Sequence, residues 1–282
     1  MVLLTQFRPR KSRANHPFPL VACLKMLKTF TNLPFLTFIP GSMRNRCATA
    51  DSRRPGRILV LKSASKMSRL CSSRFERAAR QLGWMRIAGL DEAGRGALFG
   101  PVVAAAVILN PKRRIVGLDD SKRLTSERRA ELAPRIRQHA LAWAVAEVDA
   151  QRIDAWNIYQ ASRQAMTAAL EQLSIQPDYL LIDALQLDVP IEQKSLIKGD
   201  ARSVSIAAAS ILAKTHRDAC MERWDVIYPQ YGLARHKGYA TPDHLEALRQ
   251  HGPSPLHRYS FAPVRDANCW AAGATQTPLP LF

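Results

Sequence analysis

Arg86-Ile87-Ala88-Gly89-Leu90-Asp91-Glu92-Ala93-Gly94-Arg95-Gly96 is a short apolar run that breaks into two adjacent carboxylates, then into glycines flanking an arginine. The spacing predicts a strand over 86–90, closed by a glycine-rich connection. Neighbouring strand residues point to opposite faces, so Asp91 and Glu92 can reach one site only where the strand ends. Hard divalent cations take oxygen ligands, and clustered carboxylates supply that chemistry. A lone acid pair before a glycine turn is nevertheless more often an ordinary solvated surface feature.

Outward from this run, 101–109 (PVVAAAVIL) reads as a second strand. Residues 126–139 read as a helix with Ser126 as a possible N-cap, despite Pro134. Residues 141–148 alternate like a strand with Leu141, Trp143 and Val145 on one face. Helical spacing follows at Ile158, Ala161, Ala165, Ala168 and Ala169, then a buried strand over Asp178 to Asp183. A long small-residue helix is predicted over 202–224 and another over 242–250. Strands first, then mixed strands and helices, indicate an α/β domain. The expected layout is a basic extension over 1–73, a catalytic domain over 74–265 and a loose tail over 266–282.

Two more acids sit where apolar runs end. Asp183 closes Leu180-Leu181-Ile182, and Asp200 stands in Lys198-Gly199-Asp200, where it reads as a helix N-cap, a metal ligand, or both. Asp218 lies five helical turns beyond Asp200, about 27 Å along a continuous axis, whereas paired catalytic ions stand about 4 Å apart. It is therefore left out of the cluster.

The net charge of +18 is unevenly spread. Residues 1–67 hold 13 Lys and Arg against the single acid Asp51, while 68–282 hold 28 basic and 22 acidic residues. The body of the chain is thus mildly basic, which suits phosphate binding without requiring it. The basic segment reads as translated sequence upstream of a start at Met67, as a disordered tail, or as a targeting peptide. Lys25, Lys28, Pro19 and Pro34 exclude a membrane span within it. The five cysteines form no C-x-x-C pair, so no disulfide framework or cysteine zinc site is indicated, and a reducing cytoplasmic setting fits. His216, His236 and His257 are not spaced as zinc ligands and read as surface or structural. Arg128-Arg129 reads as a solvated helix face, Trp143 and Trp156 as core, and Ser210 as close packing.

Five segments in order carry a family resemblance. They are Asp91-Glu92-Ala93-Gly94-Arg95-Gly96 running on through Gly100-Pro101-Val102-Val103-Ala104-Ala105, Asp119-Asp120-Ser121-Lys122-Arg123-Leu124, Lys198-Gly199-Asp200, Ala208-Ala209-Ser210-Ile211-Leu212-Ala213-Lys214, and His236-Lys237-Gly238-Tyr239-Ala240-Thr241. Over about 74–265 the chain resembles bacterial ribonuclease HII, the type 2 ribonuclease H. One departure is Ala184, where the family more often has glycine.

The resemblance implies a ribonuclease H-like fold: a mixed five-stranded sheet flanked by helices, with a helical C-terminal part. It implies a metal site at Asp91, Glu92, Asp183 and Asp200 holding two Mn²⁺ or Mg²⁺ ions. Gly94, Arg95, Gly96 and Lys122 would grip the substrate, and Tyr239 would stack on the sugar at the RNA–DNA junction. The implied activity cuts the RNA strand of RNA–DNA hybrids and incises 5′ of ribonucleotides embedded in duplex DNA, leaving 3′-OH and 5′-phosphate. The enzyme is expected to act as a monomer, with no membrane partner. Glycines let a backbone approach a sugar closely enough to read its 2′-OH, and a ring beside Lys237 would suit a nucleic-acid site. The competing reading is a non-catalytic basic nucleic-acid-binding protein that uses residues 1–67 as its handle.

Overall fold

In the computed structural model, residues 71–273 are described, with side chains as far as Ala267. The basic segment 1–67, and with it every reading of that segment, lies outside the described residues. A five-stranded sheet in the order β3-β2-β1-β4-β5 forms the centre. β1 (Ile87–Ala93), β2 (Val102–Leu109) and β3 (Ala140–Val148) make an antiparallel meander. β4 (Tyr179–Asp183) and β5 (Glu192–Leu196) add in parallel on the other side of β1.

Small residues bring helices close to both faces of this sheet. On one face α4 (Ile158–Glu171) sets Ala161, Ala165 and Ala169 in a core with Ala104, Ala106, Ala144 and Ala146. On the other, α5 (Val204–Ile227) sets Ala207 to Ala209 and Ile211 to Ala213 against Val103, Ala105 and Val107, beside Leu132 and Ile136 of α2 (Ser126–His139). The closest approach is at Gly89, where a Cβ would stand 2.1 Å from the Ser205 carbonyl carbon. Glu76 of α1 (Arg74–Gln81) reinforces that contact. Its carboxylate accepts from Ser203 Oγ at 2.5 Å and from the Ser205 N–H at 2.9 Å, and so caps α5 from a distant part of the chain.

α3 (Ala150–Trp156) precedes α4, and the C-terminal part is helical. α6 (Leu233–His236), α7 (Pro242–His251) and α8 (Ala262–Gly273) gather with the end of α5 around Phe99, Tyr231, Leu248 and Val264. α8 crosses the boundary expected at 265, because Val264 and Ala267 are buried in this cluster.

Several expectations are corrected. The alternation of β3 is present, but the buried face carries Ala142, Ala144, Ala146 and Val148, while Trp143 is 39% exposed. β3 is an edge strand, and α4 packs so closely that only small side chains fit; Trp143 instead lies under the Arg137 guanidinium, 5.4 Å from its carbon. Trp156, at the end of α3, is 43% exposed. The cap of α2 is Thr125, whose Oγ1 accepts from the Arg128 N–H at 3.3 Å, so Ser126 is the first helical residue. The cap of α5 is Ser203, which frees Asp200 from that duty. β5 escaped the sequence pattern because its residues, EQKSL, are mostly polar and only Leu196 is buried.

Gly89→Ala forces α5 off the sheet or the strand out of register. We expect it to destabilise the fold by about 1–3 kcal/mol or more, read as a lower midpoint in urea unfolding; an unchanged midpoint would mean that α5 can retreat at no cost.

Candidate active site

Strand register assembles the acids. β1 and β4 run parallel with Leu90 opposite Ile182, so Asp91 and Asp183 follow at the same level of the two strands. Both alternate onto the α5 face, since Leu90 and Ile182 belong to the core under α4. Asp200 comes from the turn before α5, and the Gly89 contact brings that turn down onto the sheet. One carboxylate oxygen from each of Asp91, Asp183 and Asp200 lies within 4.8 Å of the others.

Glu92 stands apart from this trio. β1 does not end at residue 90 but continues to Ala93, and Glu92, though outside the trio, lies close enough for its charge to act on Asp91. Its Oε1 meets Arg95 Nη1 at 3.2 Å, whereas its buried Oε2 has no partner. An orphaned buried carboxylate oxygen beside three crowded acids is what a hard cation would satisfy. The remaining contacts hold the trio in place. Asp91 Oδ1 accepts from the Glu92 N–H at 2.8 Å, Asp183 Oδ1 from the Gly199 N–H at 2.6 Å, and Asp200 Oδ1 from the Ala201 N–H at 2.9 Å.

Crowding and burial set the electrostatics. Burial first, then the charges of Glu92 and Asp183, push the Asp91 carboxyl well above its ordinary range, against the pull of the Ser210 hydroxyl. Burial also raises Glu92, partly offset by Arg95, and raises Asp183, partly offset by the Gly199 N–H. Lys122 answers this charge: its Nζ lies 3.3 Å from Asp200 Oδ2. Burial works against its positive charge, but Asp200 and Asp91 more than compensate and lift its pKa.

The glycine turn and Tyr239 are joined through the backbone. Ala97 and Tyr239 form an isolated antiparallel bridge, and the Leu98 N–H donates to the Gly238 carbonyl at 2.8 Å. Two buried arginines fasten this strap. Arg217 of α5 donates to the Phe99, Lys237 and Pro101 carbonyls, and Arg258 to the Gly100 and Arg95 carbonyls. The cations beside the Tyr239 ring are Lys214 and Arg217, at 5.5 and 5.3 Å. Lys237 is not one of them, because its Nζ pairs with Glu222 at 2.7 Å. The two glycines differ. Gly94 has φ +93°, and a Cβ there would stand 2.0 Å from Arg217 Nε, whereas a Cβ on the exposed Gly96 would meet nothing within 4 Å.

Other residues answer to the site unexpectedly. Ser210 is more than packing: its hydroxyl reaches Asp91 and lies 2.8 Å from Ser121 Oγ in the loop that presents Lys122. Arg129 is not solvated; it donates to the Ser121 and Leu124 carbonyls and pairs with Asp218, which also holds Lys214. Asp218 thus belongs to a structural network, as its distance along the helix required. His257 and His244 are buried, Nε2 to Nε2 at 3.1 Å, and burial pushes them down to about 3 and 4, which suits a neutral structural pair. His236 stacks on His244 at 4.4 Å and is structural as well. Ala184 adopts φ +50°, a conformation that glycine takes without strain. The sequence did hold a signal for Ser210 and Arg217, since both fall on the buried stripe of α5 with Ile206 and Ala213.

The family model for "Ribonuclease HII" matches residues 88–264. The chain belongs to the ribonuclease HII family. A ribonuclease HII of Solibacter usitatus is 58% identical over 195 residues, covering 69% of this chain and 86% of its own. One of Koribacter versatilis is 57% identical over 209 residues, covering 74% and 80%. Among solved structures, the ribonuclease H2 of Pyrococcus horikoshii OT3 matches with a TM-score of 0.57 at 27% identity, covering 65% of this chain and 97% of that one. Membership in the ribonuclease HII family makes the protein a ribonuclease H, a hydrolase. Its fold is the ribonuclease H-like α/β fold that the motifs implied.

The raised carboxyls make a prediction about the metal-free protein. Asp91, Glu92 and Asp183 keep their protons to higher pH in the folded chain than in the unfolded one. Their contribution to stability is therefore fully present below the ordinary carboxylate range and is lost as pH rises through the raised values. Asp91→Asn removes the most strongly buried of these charges. In chelator near neutral pH its calorimetric midpoint should exceed wild type by about 2–4 °C, and the gap should close toward about pH 4.

Proposed function

We propose that this chain is a divalent-metal-dependent endonuclease that hydrolyses the RNA strand of RNA–DNA hybrids and incises 5′ of single ribonucleotides in duplex DNA. Asp91, Glu92, Asp183 and Asp200 are its catalytic, metal-holding residues, and it works as a cytoplasmic monomer. The observation that carries this reading is the convergence of three carboxylates within 4.8 Å beside a fourth whose buried oxygen has no partner. All the donors are hard oxygens, which fits Mg²⁺ or Mn²⁺. When bound, two such ions would supply charge stabilisation for a hydrolysis that leaves 3′-OH and 5′-phosphate ends.

The protein's own groups do the rest. Asp91 and Asp183, fixed at one level of two parallel strands, would hold the ions from the floor of the site. Lys122, largely exposed and anchored at Asp200, offers a cation to the substrate backbone. Arg95 steadies Glu92 through its guanidinium while its carbonyl is tied to Arg258, so it contributes to the substrate strap mainly by its backbone. The open backbone at Gly96 reads the 2′-OH, and the Tyr239 ring stacks on the sugar at the junction. Gly94 serves the strap rather than the sugar, because its lack of a side chain makes room for Arg217.

Two experiments test this reading. A DNA duplex carrying one ribonucleotide should be cut on its 5′ side with Mn²⁺ or Mg²⁺, and Asp91→Asn should lower the rate by about 1000-fold or more, several kcal/mol of barrier. Binding without cleavage under every metal condition would favour the non-catalytic alternative. Gly96→Ala should leave the unfolding free energy within about 0.5 kcal/mol of wild type yet slow cleavage at the ribonucleotide. Gly94→Ala should lower the midpoint itself, so equal effects at the two positions would refute the division of labour.

A further inference from the structure

A second cluster of ligating side chains lies outside the carboxylate site. His216 and Cys220 stand four residues apart on α5, hence on one face of the helix, and Glu147 of β3 points at them from the edge of the sheet. Glu147 Oε1 lies 2.5 Å from His216 Nε2 and 3.7 Å from Cys220 Sγ, and the three ligating atoms all fall within 4.8 Å of one another. Sequence spacing hid this group, because its members come from two elements and form no C-x-x-C or His-pair motif.

We propose that Glu147, His216 and Cys220 bind a borderline-soft divalent cation of the zinc class. One sulfur, one nitrogen and one oxygen donor suit zinc, whereas the all-oxygen carboxylate site suits Mg²⁺ or Mn²⁺. Bonds of about 2.0–2.3 Å in a tetrahedral array place donor atoms roughly 3.3–3.8 Å apart. Cys220 and Glu147 already meet that spacing, and His216 needs to swing back by only about an ångström. Half-exposed Glu147 and His216 form the mouth, and buried Cys220 forms the floor. Arg223 Nη2 sits 3.1 Å from the sulfur. Its side chain is exposed, so it can move aside to leave the fourth position for water or another ligand.

The site is separate from the nuclease centre. Val103, opposite Glu147, pairs with Ala93 of β1, which places Glu147 two strand spacings, about 10 Å, from the strand that carries Asp91. Occupancy would tie the edge strand to the middle of α5, the helix whose start carries the Asp200 turn. The proposal does not depend on the nuclease reading and is tested without an activity assay.

The full chain, reduced and stripped with chelator, is titrated with Co²⁺ and monitored for thiolate-to-cobalt charge-transfer absorption in the near ultraviolet. Wild type and Asp91→Asn should both develop the band, and added Zn²⁺ should bleach it. Cys220→Ser should abolish it, and His216→Gln, which keeps the helix and leaves the core untouched, should weaken Co²⁺ binding by about 10-fold or more. Cys71→Ser, at the other described free cysteine, should retain the band. A wild-type protein without the band, or a band that survives Cys220→Ser, would overturn the proposal. A Zn²⁺-induced rise in melting midpoint seen in wild type and lost in His216→Gln would support it independently.

Discussion

α5 lies on β1 as closely as two backbones can, and the geometry of the acidic cluster depends on that contact. Gly89 has no side chain to hold the helix away, the first turns of α5 carry alanines, and Glu76 ties down the helix start from α1. Were the helix a methyl group farther out, Asp200 would rise with it and leave Asp91 and Asp183 as a pair. A backbone contact more than a hundred residues long in sequence therefore decides whether three carboxylates share one volume or two.

That volume is unfavourable without a counter-charge. Carboxyls buried side by side repel one another and lack water, which is why their protons are held so tightly. Lys122 provides part of the compensation, and the Gly199 and Ala201 N–H groups provide more. The unpartnered oxygen of Glu92 remains uncompensated. Strain of this kind persists only where the surrounding sheet and helices overdetermine it, and both faces of the sheet are packed here.

Much of this was legible in the sequence, and the rest was hidden for identifiable reasons. The central strands and long helices announced themselves through apolar periodicity, and the acids through their places at the ends of apolar runs. The buried face of β3 was misjudged because Leu141 and Trp143 outweigh alanines on any hydrophobicity scale, while an alanine-lined helix selects the smaller side chains. The end of β1 expected at residue 90 comes three residues later, because Asp91, Glu92 and Ala93 still pair with β2. Ser203 displaced Asp200 as the cap through a contact with Glu76, which local patterns do not encode. Arg258 and the Glu147–His216–Cys220 group depend on long-range contacts, so spacing along the chain could not reveal them.

The fastening of the strap by Arg258 has a meaning in time as well as in space. Arg258 grips a carbonyl 163 residues earlier, at Arg95, and another at Gly100. A chain still emerging from the ribosome acquires all four acids well before it acquires this clasp. During that interval Arg217 and the backbone bridge to Gly238 and Tyr239 can hold the neighbouring loop, but the Arg95 and Gly100 carbonyls still lack their clasp. The loop beside the acids is therefore completed by a residue made later than any of the four carboxylates.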